Sequence, residues 1–187
     1  MAIISSSARY SEEALVFVKP HLLWRRDDLF NYLDDRLFEQ GIDFSRTAGE
    51  LIMPVPLDLI AEHYAHLSPK YQAAYDDVLR TFPKGGICVR GYTGEYNLIS
   101  AIRQIIGDTD PAKAKIGAIR QVFCSDSIAK AIEESRSVNN GAHASGNPRE
   151  GKIEVTRFAP LLGQLLYIPI HEERHVRSRI KSSSRRF

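Results

Sequence analysis

The stretch Ala-Leu-Val-Phe-Val-Lys-Pro at residues 14–20 is the part of the sequence from which the fold is most readily worked out. Five consecutive apolar residues followed by Lys-Pro are typical of a buried strand that ends at this pair. A lysine at the end of a core strand is unusual. Lys19 therefore either extends its charged group to solvent or has a role at the end of the strand.

Helical and extended patterns alternate after this strand. The sequence predicts a helix from Asp27 or Asp28 to Gln40, an interrupted strand over 42–54, a strand over 87–89, and helices over 56–68, 71–82 and 98–106. We expect the stretch Pro83-Lys84-Gly85-Gly86 to break the helix that begins at Tyr71. This order predicts an α+β fold with a split βαβ arrangement, in which helices cover one face of an antiparallel sheet.

Composition indicates one globular domain. The chain has 187 residues, of which 43% are hydrophobic and 26% charged, as in an ordinary domain with a packed core. No apolar run has the length of a membrane span, and the N-terminus lacks the basic start and apolar stretch of a secretory signal. Cys88 and Cys124 have no metal-binding spacing, so we expect reduced core thiols. A cytoplasmic protein without membrane contact is the expectation.

Charge is unevenly distributed along the chain. Residues 174–187 hold six of the 25 Lys and Arg side chains and none of the 23 Asp and Glu side chains. We expect a loose N-terminal lead-in over 1–8, a main domain over 9–160, an apolar packing segment over 161–173 and a basic tail over 174–187. Three interpretations of the tail stay open: a disordered solubility tail, a weak contact to nucleic acid or another polyanion, and a contact to a neighbouring subunit.

The stretch Asn-Gly-Ala-His-Ala-Ser at residues 140–145 is the strongest candidate for chemistry. Small residues surround His143, Ser145 follows two residues later, and Glu154 lies eleven residues beyond the histidine on a segment that is either strand or helix. A nucleophilic histidine needs a free ring nitrogen and a carboxylate that orients the ring. The alternative is a surface-loop histidine without a role.

Two common nucleotide-binding patterns do not occur in the sequence. There is no GxxxxGK[ST] loop and no GxGxxG after a strand, which excludes P-loop and Rossmann-type binding. The connection over 107–123 is long, which is typical of a binding loop.

With these segments in view, the sequence resembles the nucleoside diphosphate kinase family over roughly residues 9–160. The resemblance rests on short segments in the family's order and local spacing. They are residues 14–20, 62–64, 106–111 and 116–120, together with Arg103, Asn140, His143, Ser145 and Glu154. The resemblance implies a ferredoxin-like α+β fold and an enzyme that transfers the γ-phosphate of a nucleoside triphosphate to a nucleoside diphosphate.

In this family the phosphate passes through a phosphohistidine, which the resemblance assigns to His143. One site is then used twice, first by the triphosphate and then by the diphosphate, in a ping-pong mechanism. The resemblance implies that Tyr64 and Glu154 orient the imidazole and that Ser145 stabilises the transferring group.

The other implied contacts are with the nucleotide. Cations and neutral donors hold the phosphates and sugar: Lys19 (also counted as catalytic), Arg103, Thr109, Arg120 and Asn140. Tyr71 is the candidate for stacking on the base, with a core aromatic as the alternative. Magnesium is the expected cofactor, held by nucleotide phosphates and water, so no protein residue is predicted as a metal ligand.

The sequence departs from the family in four places. His21, His66 and Gly146 stand where acidic residues are usual, which puts magnesium handling and turnover in doubt. The stretch over 124–139 is about ten residues longer than the usual link. We expect it to be either a solvated surface excursion, which is favoured, or a helix that covers the pocket or alters subunit contacts.

Competing functions follow from these departures. The main alternative is a nucleotide-binding regulatory or scaffold module of the same fold, with weak or no phosphotransfer. A histidine kinase acting on proteins is a third possibility, for which no particular protein substrate is indicated. Members of the family assemble as hexamers or tetramers, so a homo-oligomer is expected.

Overall fold

The apolar run at 14–18 forms an inner strand of the sheet. The computed structural model of the chain describes residues 11–162 and 168–169. The strands are β1 (Glu12–Val18), β2 (Phe44–Arg46), β3 (Glu50–Ile52), β4 (Ile87–Gly94), β5 (Ala142–Ala144) and β6 (Ile168–Pro169). Their order is β5-β1-β4-β2-β6, with β3 also paired to β4 and every pairing antiparallel. The prediction of an antiparallel α+β fold is confirmed, and β4 is longer than predicted.

The helices follow the predicted order. They are α1 (Arg26–Glu39), α2 (Leu57–His63), α3 (Gln72–Gly85), α4 (Leu98–Ile106), α5 (Ile119–Phe123), α6 (Ile128–Glu133) and α7 (Pro148–Phe158). The third helix ends within the predicted stretch 83–86, but it includes Pro83 and runs to Gly85, three residues beyond the predicted end at Phe82. Pro83 lies in the last turn, and the chain leaves the helix at Gly86 with φ +76°, a conformation that favours glycine.

Helices cover both faces of the sheet, which corrects the expectation of one covered face. Ala14, Val16 and Val18 pack in the layer formed with α1 and α4. Leu15 and Phe17 point the other way, into the layer formed with α2, α3 and α7. Because successive side chains of a strand alternate between faces, burial on both faces explains why every residue from 14 to 18 is apolar.

A buried ion cluster, called here the Asp34 cluster, lies between α1 and the sheet. Asp34 accepts charge-assisted contacts from Arg46 Nε at 2.6 Å and from Arg90 Nη1 at 3.1 Å. The Tyr92 hydroxyl donates to its other carboxylate oxygen at 2.9 Å. All four residues are buried, so one carboxylate ties α1 to β2 and β4.

The segment over 124–139 lies at the surface, with four of the six residues of α6 exposed, but it is docked on the domain. It contains α6, the side chain of Ala131 is buried, and hydrogen bonds join it to α3 and to the turn before α5. These contacts fix the segment against the domain.

The predicted terminal segments are mostly outside the described residues. The lead-in over 1–8 and the tail over 174–187 lie outside them, while Leu162 is buried and Ile168–Pro169 pairs with β2. Cys88 is buried and Cys124 is half-buried, and both are free thiols. None of the described helices is long and apolar enough to cross a membrane.

Candidate active site

His143 lies at the middle of the short strand β5, directly opposite Phe17 of β1. The two rings stack with their centroids 4.8 Å apart. Ahead of β5, Gly141 has φ +78°, and a Cβ at this position would come within 2.8 Å of Cys124 Sγ. The Lys19 amide donates to the Gly141 carbonyl at 2.9 Å, which ties the end of β1 to the start of β5. The glycine therefore permits the turn that presents His143.

Helix α7 carries Glu154 to the back of this ring, which settles that the Glu154 segment is a helix. The Asn147 side chain caps the helix by accepting from the Glu150 amide, and Pro148 is its first residue. A Cβ at Gly151 would lie 1.9 Å from the Glu13 carbonyl oxygen. Only glycine allows α7 to lie this close to β1, and this approach brings Glu154 to His143.

Glu154 holds His143 from behind. Nε2 of the histidine lies 3.0 Å from both carboxylate oxygens of Glu154. The Ser145 hydroxyl donates to Glu154 Oε2 at 2.6 Å and accepts from the Leu15 amide at 2.9 Å. This hydroxyl is thus engaged behind the ring, where it fixes the carboxylate. The expectation that Ser145 stabilises the transferring group stays a prediction.

The electrostatics favour a neutral histidine beside an ionised glutamate. Burial lowers the pKa of His143, and the hydrogen bond to Glu154 opposes this only in part. Burial alone would raise the pKa of Glu154, but the hydrogen bonds from His143 and Ser145 leave it below its ordinary value. A neutral imidazole whose Nε2–H points at Glu154 carries its lone pair on Nδ1. No hydrogen bond reaches Nδ1 from the described residues.

Three predicted cations surround this end of the sheet. Arg120 is buried and donates to the carbonyls of Asn140, Gly107 and Ala142 at 3.2, 3.0 and 2.9 Å. Arg103 donates to the Ala144 carbonyl at 3.5 Å. The two arginines therefore hold the backbone on either side of His143.

Lys19, the third cation, is only 8% exposed. Its Nζ lies 5.8 Å from the centre of the Tyr64 ring. Burial and the nearby Arg120 guanidinium lower the pKa of Lys19 to about 7. Of the two readings that the sequence left open, a lysine extended into solvent is therefore wrong.

The other predicted nucleotide contacts divide into two groups. The Asn140 amide donates to the Thr109 carbonyl at 2.9 Å, so these two residues meet beside the His143 strand. Asn140 Oδ1 is buried without a hydrogen-bond partner among the described residues. Tyr71, just before α3, is 48% exposed and has the Lys70 ammonium 5.1 Å from its ring. Its exposure contradicts the alternative of a core aromatic, and no ring contact in the described structure links it to His143.

Sequence reasoning missed His63. Its ring packs edge-on against His143 with the centroids 4.4 Å apart, and it also contacts Tyr64 at 4.9 Å. Tyr64 therefore lies beside His63, which contacts the imidazole in its place. Both ring nitrogens of His63 and the Tyr64 hydroxyl are buried without hydrogen-bond partners in the described part of the chain. Its position directly before Tyr64, in the last turn of α2, is the signal that could have identified it.

Burial fixes the charge of these neighbours. Burial and the neighbouring His143 lower the pKa of His63 to about 2, so the ring is neutral in the folded protein. Burial raises the pKa of the Tyr64 phenol, which therefore stays protonated.

The three departures from the family pattern have separate surroundings. His21 Nε2 accepts from the Gly141 amide at 3.1 Å, so this residue supports the turn ahead of His143. His66 is exposed and stacks on Tyr64 with the centroids 6.1 Å apart. The Gly146 amide donates to Glu150 at 3.0 Å.

One group of possible metal ligands occurs among the described residues. Donor atoms of His63, His143 and Glu154 lie within 4.8 Å of one another. Imidazole nitrogen suits zinc-like ions, whereas magnesium takes oxygen ligands, so this group does not fit magnesium. The nearby turn over 108–112 also carries two carboxylates. Asp110 Oδ1 already accepts from the Ala112 and Ile128 amides, and Asp108 Oδ1 accepts from the Asp110 amide.

The fold and this site together define an α+β domain with a carboxylate-held histidine among cations. A model of the nucleoside diphosphate kinase family matches residues 12–160. Among curated relatives, the nucleoside diphosphate kinase of Roseiflexus sp. (strain RS-1) is 30% identical over 147 residues, covering 79% of this chain and 87% of that protein. The enzyme of Methanothermobacter thermautotrophicus is 28% identical over 148 residues, covering 79% and 86%.

Solved structures agree on the fold. The nucleoside-diphosphate kinase from Borrelia burgdorferi, a transition state mimic with bound vanadate and ADP, has a TM-score of 0.65 at 22% identity, covering 79% of this chain and 86% of that one. The NDP kinase from Pyrobaculum aerophilum has a TM-score of 0.62 at 21% identity, covering 79% and 95%. The chain belongs to the nucleoside diphosphate kinase family, and the prediction of a kinase-type enzyme is confirmed.

Proposed function

We propose that the protein transfers the terminal phosphate of a nucleoside triphosphate to a nucleoside diphosphate through a phosphohistidine at His143. The observation that carries this proposal is the double contact of His143 Nε2 with both Glu154 oxygens at 3.0 Å. This contact holds one tautomer and directs the lone pair of Nδ1 away from the carboxylate. An imidazole held in this way is ready to act as a nucleophile.

In the first half-reaction, the His143 Nδ1 lone pair forms a bond to the γ-phosphorus. The bond between that phosphorus and the β,γ-bridging oxygen breaks, and the electron pair leaves with the nucleoside diphosphate. Glu154 stabilises the positive charge that develops on the ring, and Ser145 fixes Glu154 through its 2.6 Å hydrogen bond. A second diphosphate then attacks the phosphohistidine and reverses these steps, which gives ping-pong kinetics.

Cations and neutral donors would position the phosphates. Phosphoryl transfer requires mainly positioning and neutralisation of the phosphate oxygens, and Lys19, Arg103 and Arg120 supply positive charge for this purpose. Arg120 has donors to spare, since three carbonyls take only three of its five N–H groups. Thr109 and Asn140 would contact phosphate and sugar hydroxyls.

Base binding is assigned to Tyr71, the exposed ring just before α3. Stacking on an aromatic ring tolerates every base, which fits broad substrates such as ATP and GDP. Tyr64 keeps its role as an orienting residue, acting through His63.

Magnesium belongs to the nucleotide in this proposal. Bound between phosphates, it would withdraw charge from their oxygens, and water would complete its coordination. The chain's own contribution is the set of fixed cations around His143. We further infer a cytoplasmic homo-oligomer, either a hexamer or a tetramer, with weak polyanion contact through residues 174–187.

The test is intact mass spectrometry after incubation with ATP and magnesium. We expect a gain of about 80 Da, the mass of one phosphoryl group, that disappears when GDP is added. His143→Ala should give no gain, while His66→Ala, at an exposed histidine, should label as the wild type does. Nucleotide binding without any label would contradict the kinase and support the alternative of a regulatory or scaffold module.

A further inference from the structure

Residues 126–137 form a strap that connects two parts of the proposed nucleotide site. At its C-terminal end, the backbone amide and the hydroxyl of Ser137 both donate to Asp77 Oδ2, at 3.0 and 2.6 Å. Asp77 belongs to α3 and is only 8% exposed. Two hydrogen bonds from one residue to a buried carboxylate hold the end of the strap firmly on α3.

A second anchor joins the strap to the turn over 108–112, which carries the proposed phosphate contact Thr109. The Ile128 amide donates to Asp110 Oδ1 at 3.1 Å. Asp110 is 5% exposed and directly follows Thr109, whose carbonyl accepts from Asn140. The strap thus connects α3 to the turn that carries Thr109.

Internal contacts make the strap stiff. Arg136 forms a bidentate pair with Asp126 at 2.6 and 3.0 Å and contacts Glu134 at 2.6 Å. The Ser127 hydroxyl caps α6 by accepting from the Lys130 amide at 3.1 Å. A stiff connector with two anchors transmits the position of one anchor to the other.

The two anchors flank the proposed ligand contacts. Tyr71, the stacking candidate, directly precedes α3, on which Asp77 lies. Asn140 follows the strap by three residues, and Thr109 lies beside Asp110. Any change in the spacing between α3 and this turn would alter how a nucleotide fits between them.

We propose that the strap fixes the width of the nucleotide cleft, with Asp77 and Ser137 as positioning residues for nucleoside diphosphate binding. This inference rests on the proposed function. A cleft already held open at the correct width spends less free energy on ordering when the ligand binds, so loss of the strap weakens binding. The chemistry at His143 stays intact, because neither residue contacts the imidazole or Glu154.

The experiment measures ADP affinity by calorimetry for Ser137→Ala and Asp77→Ala. We expect the Kd for ADP to rise about three- to tenfold, which corresponds to the loss of one or two hydrogen bonds. The rate of His143 phosphorylation at saturating ATP should stay within about twofold of the wild type, since the nucleophile is unaffected. Ser137→Thr, which keeps the hydroxyl, should restore the wild-type Kd.

Arg80→Ala is the matched control. Arg80 pairs with the other oxygen of Asp77 but has a 73% exposed side chain and does not contact the strap. It should leave the Kd unchanged. Hydrogen exchange at the amides of Ser137 and Ile128, which bond to Asp77 and Asp110, reports directly whether the strap has detached in each variant.

Two results would overturn the inference. One is a detached strap, seen by exchange, with an unchanged Kd for ADP. The other is an equal loss of saturated phosphorylation rate and binding, which indicates a merely structural contact. Failure of the proposed function would look different from both results. In that case the wild-type protein binds ADP but takes up no phosphate label from ATP.

Discussion

The Asp34 cluster and the His143 site are both buried polar groups built around one carboxylate, but they differ in the groups that this carboxylate faces. Asp34 meets two arginines and a tyrosine hydroxyl, so each charge in the cluster faces an opposite charge. Glu154, by contrast, meets the neutral His143 ring and the Ser145 hydroxyl. Buried atoms without hydrogen-bond partners among the described residues occur at both places: Arg90 Nε in the Asp34 cluster, and both His63 nitrogens and the Tyr64 hydroxyl beside Glu154.

We interpret the Asp34 cluster as a contact that serves stability and the His143 site, under the proposed function, as a ligand site. A buried polar atom without a partner costs about 1–3 kcal/mol, so a protein retains several of them in one place only where something else is gained. In the Asp34 cluster, two arginines and a tyrosine hydroxyl engage the carboxylate. The His143 site keeps the Nδ1 lone pair of His143 free of hydrogen bonds from the described residues. Beside it lie Lys19, whose pKa is about 7, and the unpaired polar atoms of His63 and Tyr64.

Removal of the central carboxylate of the Asp34 cluster should give the largest effect, and on stability alone. Asp34→Asn keeps the volume but leaves two buried arginines without a counter-charge, which should lower the free energy of unfolding by about 3–5 kcal/mol. Chemical denaturation measures this loss. The exposed Asn31→Ala on the same helix is the control, and a loss below about 1 kcal/mol would show that the cluster contributes no more than a surface pair.

The corresponding change in the His143 site should act on catalysis. Glu154→Gln offers an amide to His143 and removes the charge that stabilises the developing imidazolium. We expect phosphohistidine formation to slow by about 10²- to 10³-fold, measured by rapid quench, with the unfolding free energy nearly unchanged. Glu150→Gln, on the exposed face of α7, should retain the wild-type rate. A Glu154→Gln protein that is destabilised but fully active would show that Glu154, like Asp34, serves stability and not catalysis.

The smallest effect concerns His63 and acid. Its folded pKa of about 2 lies below the ordinary value of 6.5. The unfolded chain therefore takes up a proton below about pH 6.5 that the folded protein refuses, and stability falls as the pH falls. Between pH 6.5 and 5 this should cost about 2 kcal/mol, at roughly 1.4 kcal/mol per pH unit.

The measurement compares denaturation curves of the wild type and His63→Phe at both pH values. The variant should lose about 2 kcal/mol less than the wild type on acidification. His66→Phe, at an exposed ring, should follow the wild type. Equal acid sensitivity in all three proteins would mean that His63 is not held neutral.

Local patterns were enough to predict the elements but not their depth of burial. The apolar run at 14–18 and the glycine at 107 located a strand and a helix end, since both signals act within a few residues. The presence of helices on both faces of the sheet could not be predicted. The all-apolar pattern of β1 indicates that both faces are buried, but it does not specify which elements bury them. The end of α3 was predicted to within three residues, because the glycine pair at 85–86 is a local signal for a helix end.

The site divides in the same way. The order of His143, Ser145 and Glu154 along the chain indicated chemistry, and the structure adds that Ser145 faces the carboxylate. His63 was visible only as a neighbour of Tyr64, and its contact with His143 depends on how α2 packs on the sheet. The docking of residues 124–139 depends on Asp77 and Asp110, which lie 60 and 18 residues away from their partners along the chain.

Under the proposed function, the burial of Lys19 should make nucleotide binding take up a proton. With a pKa of about 7, this ammonium has lost much of its charge in the empty site near pH 8. A phosphate arriving beside it restores the charge, so the complex draws a proton from the buffer as it forms. Affinity should then decline as the pH rises above 7. The heat of binding should depend on the ionisation enthalpy of the buffer. Calorimetry in several buffers therefore measures how much of a proton Lys19 takes up when the nucleotide binds.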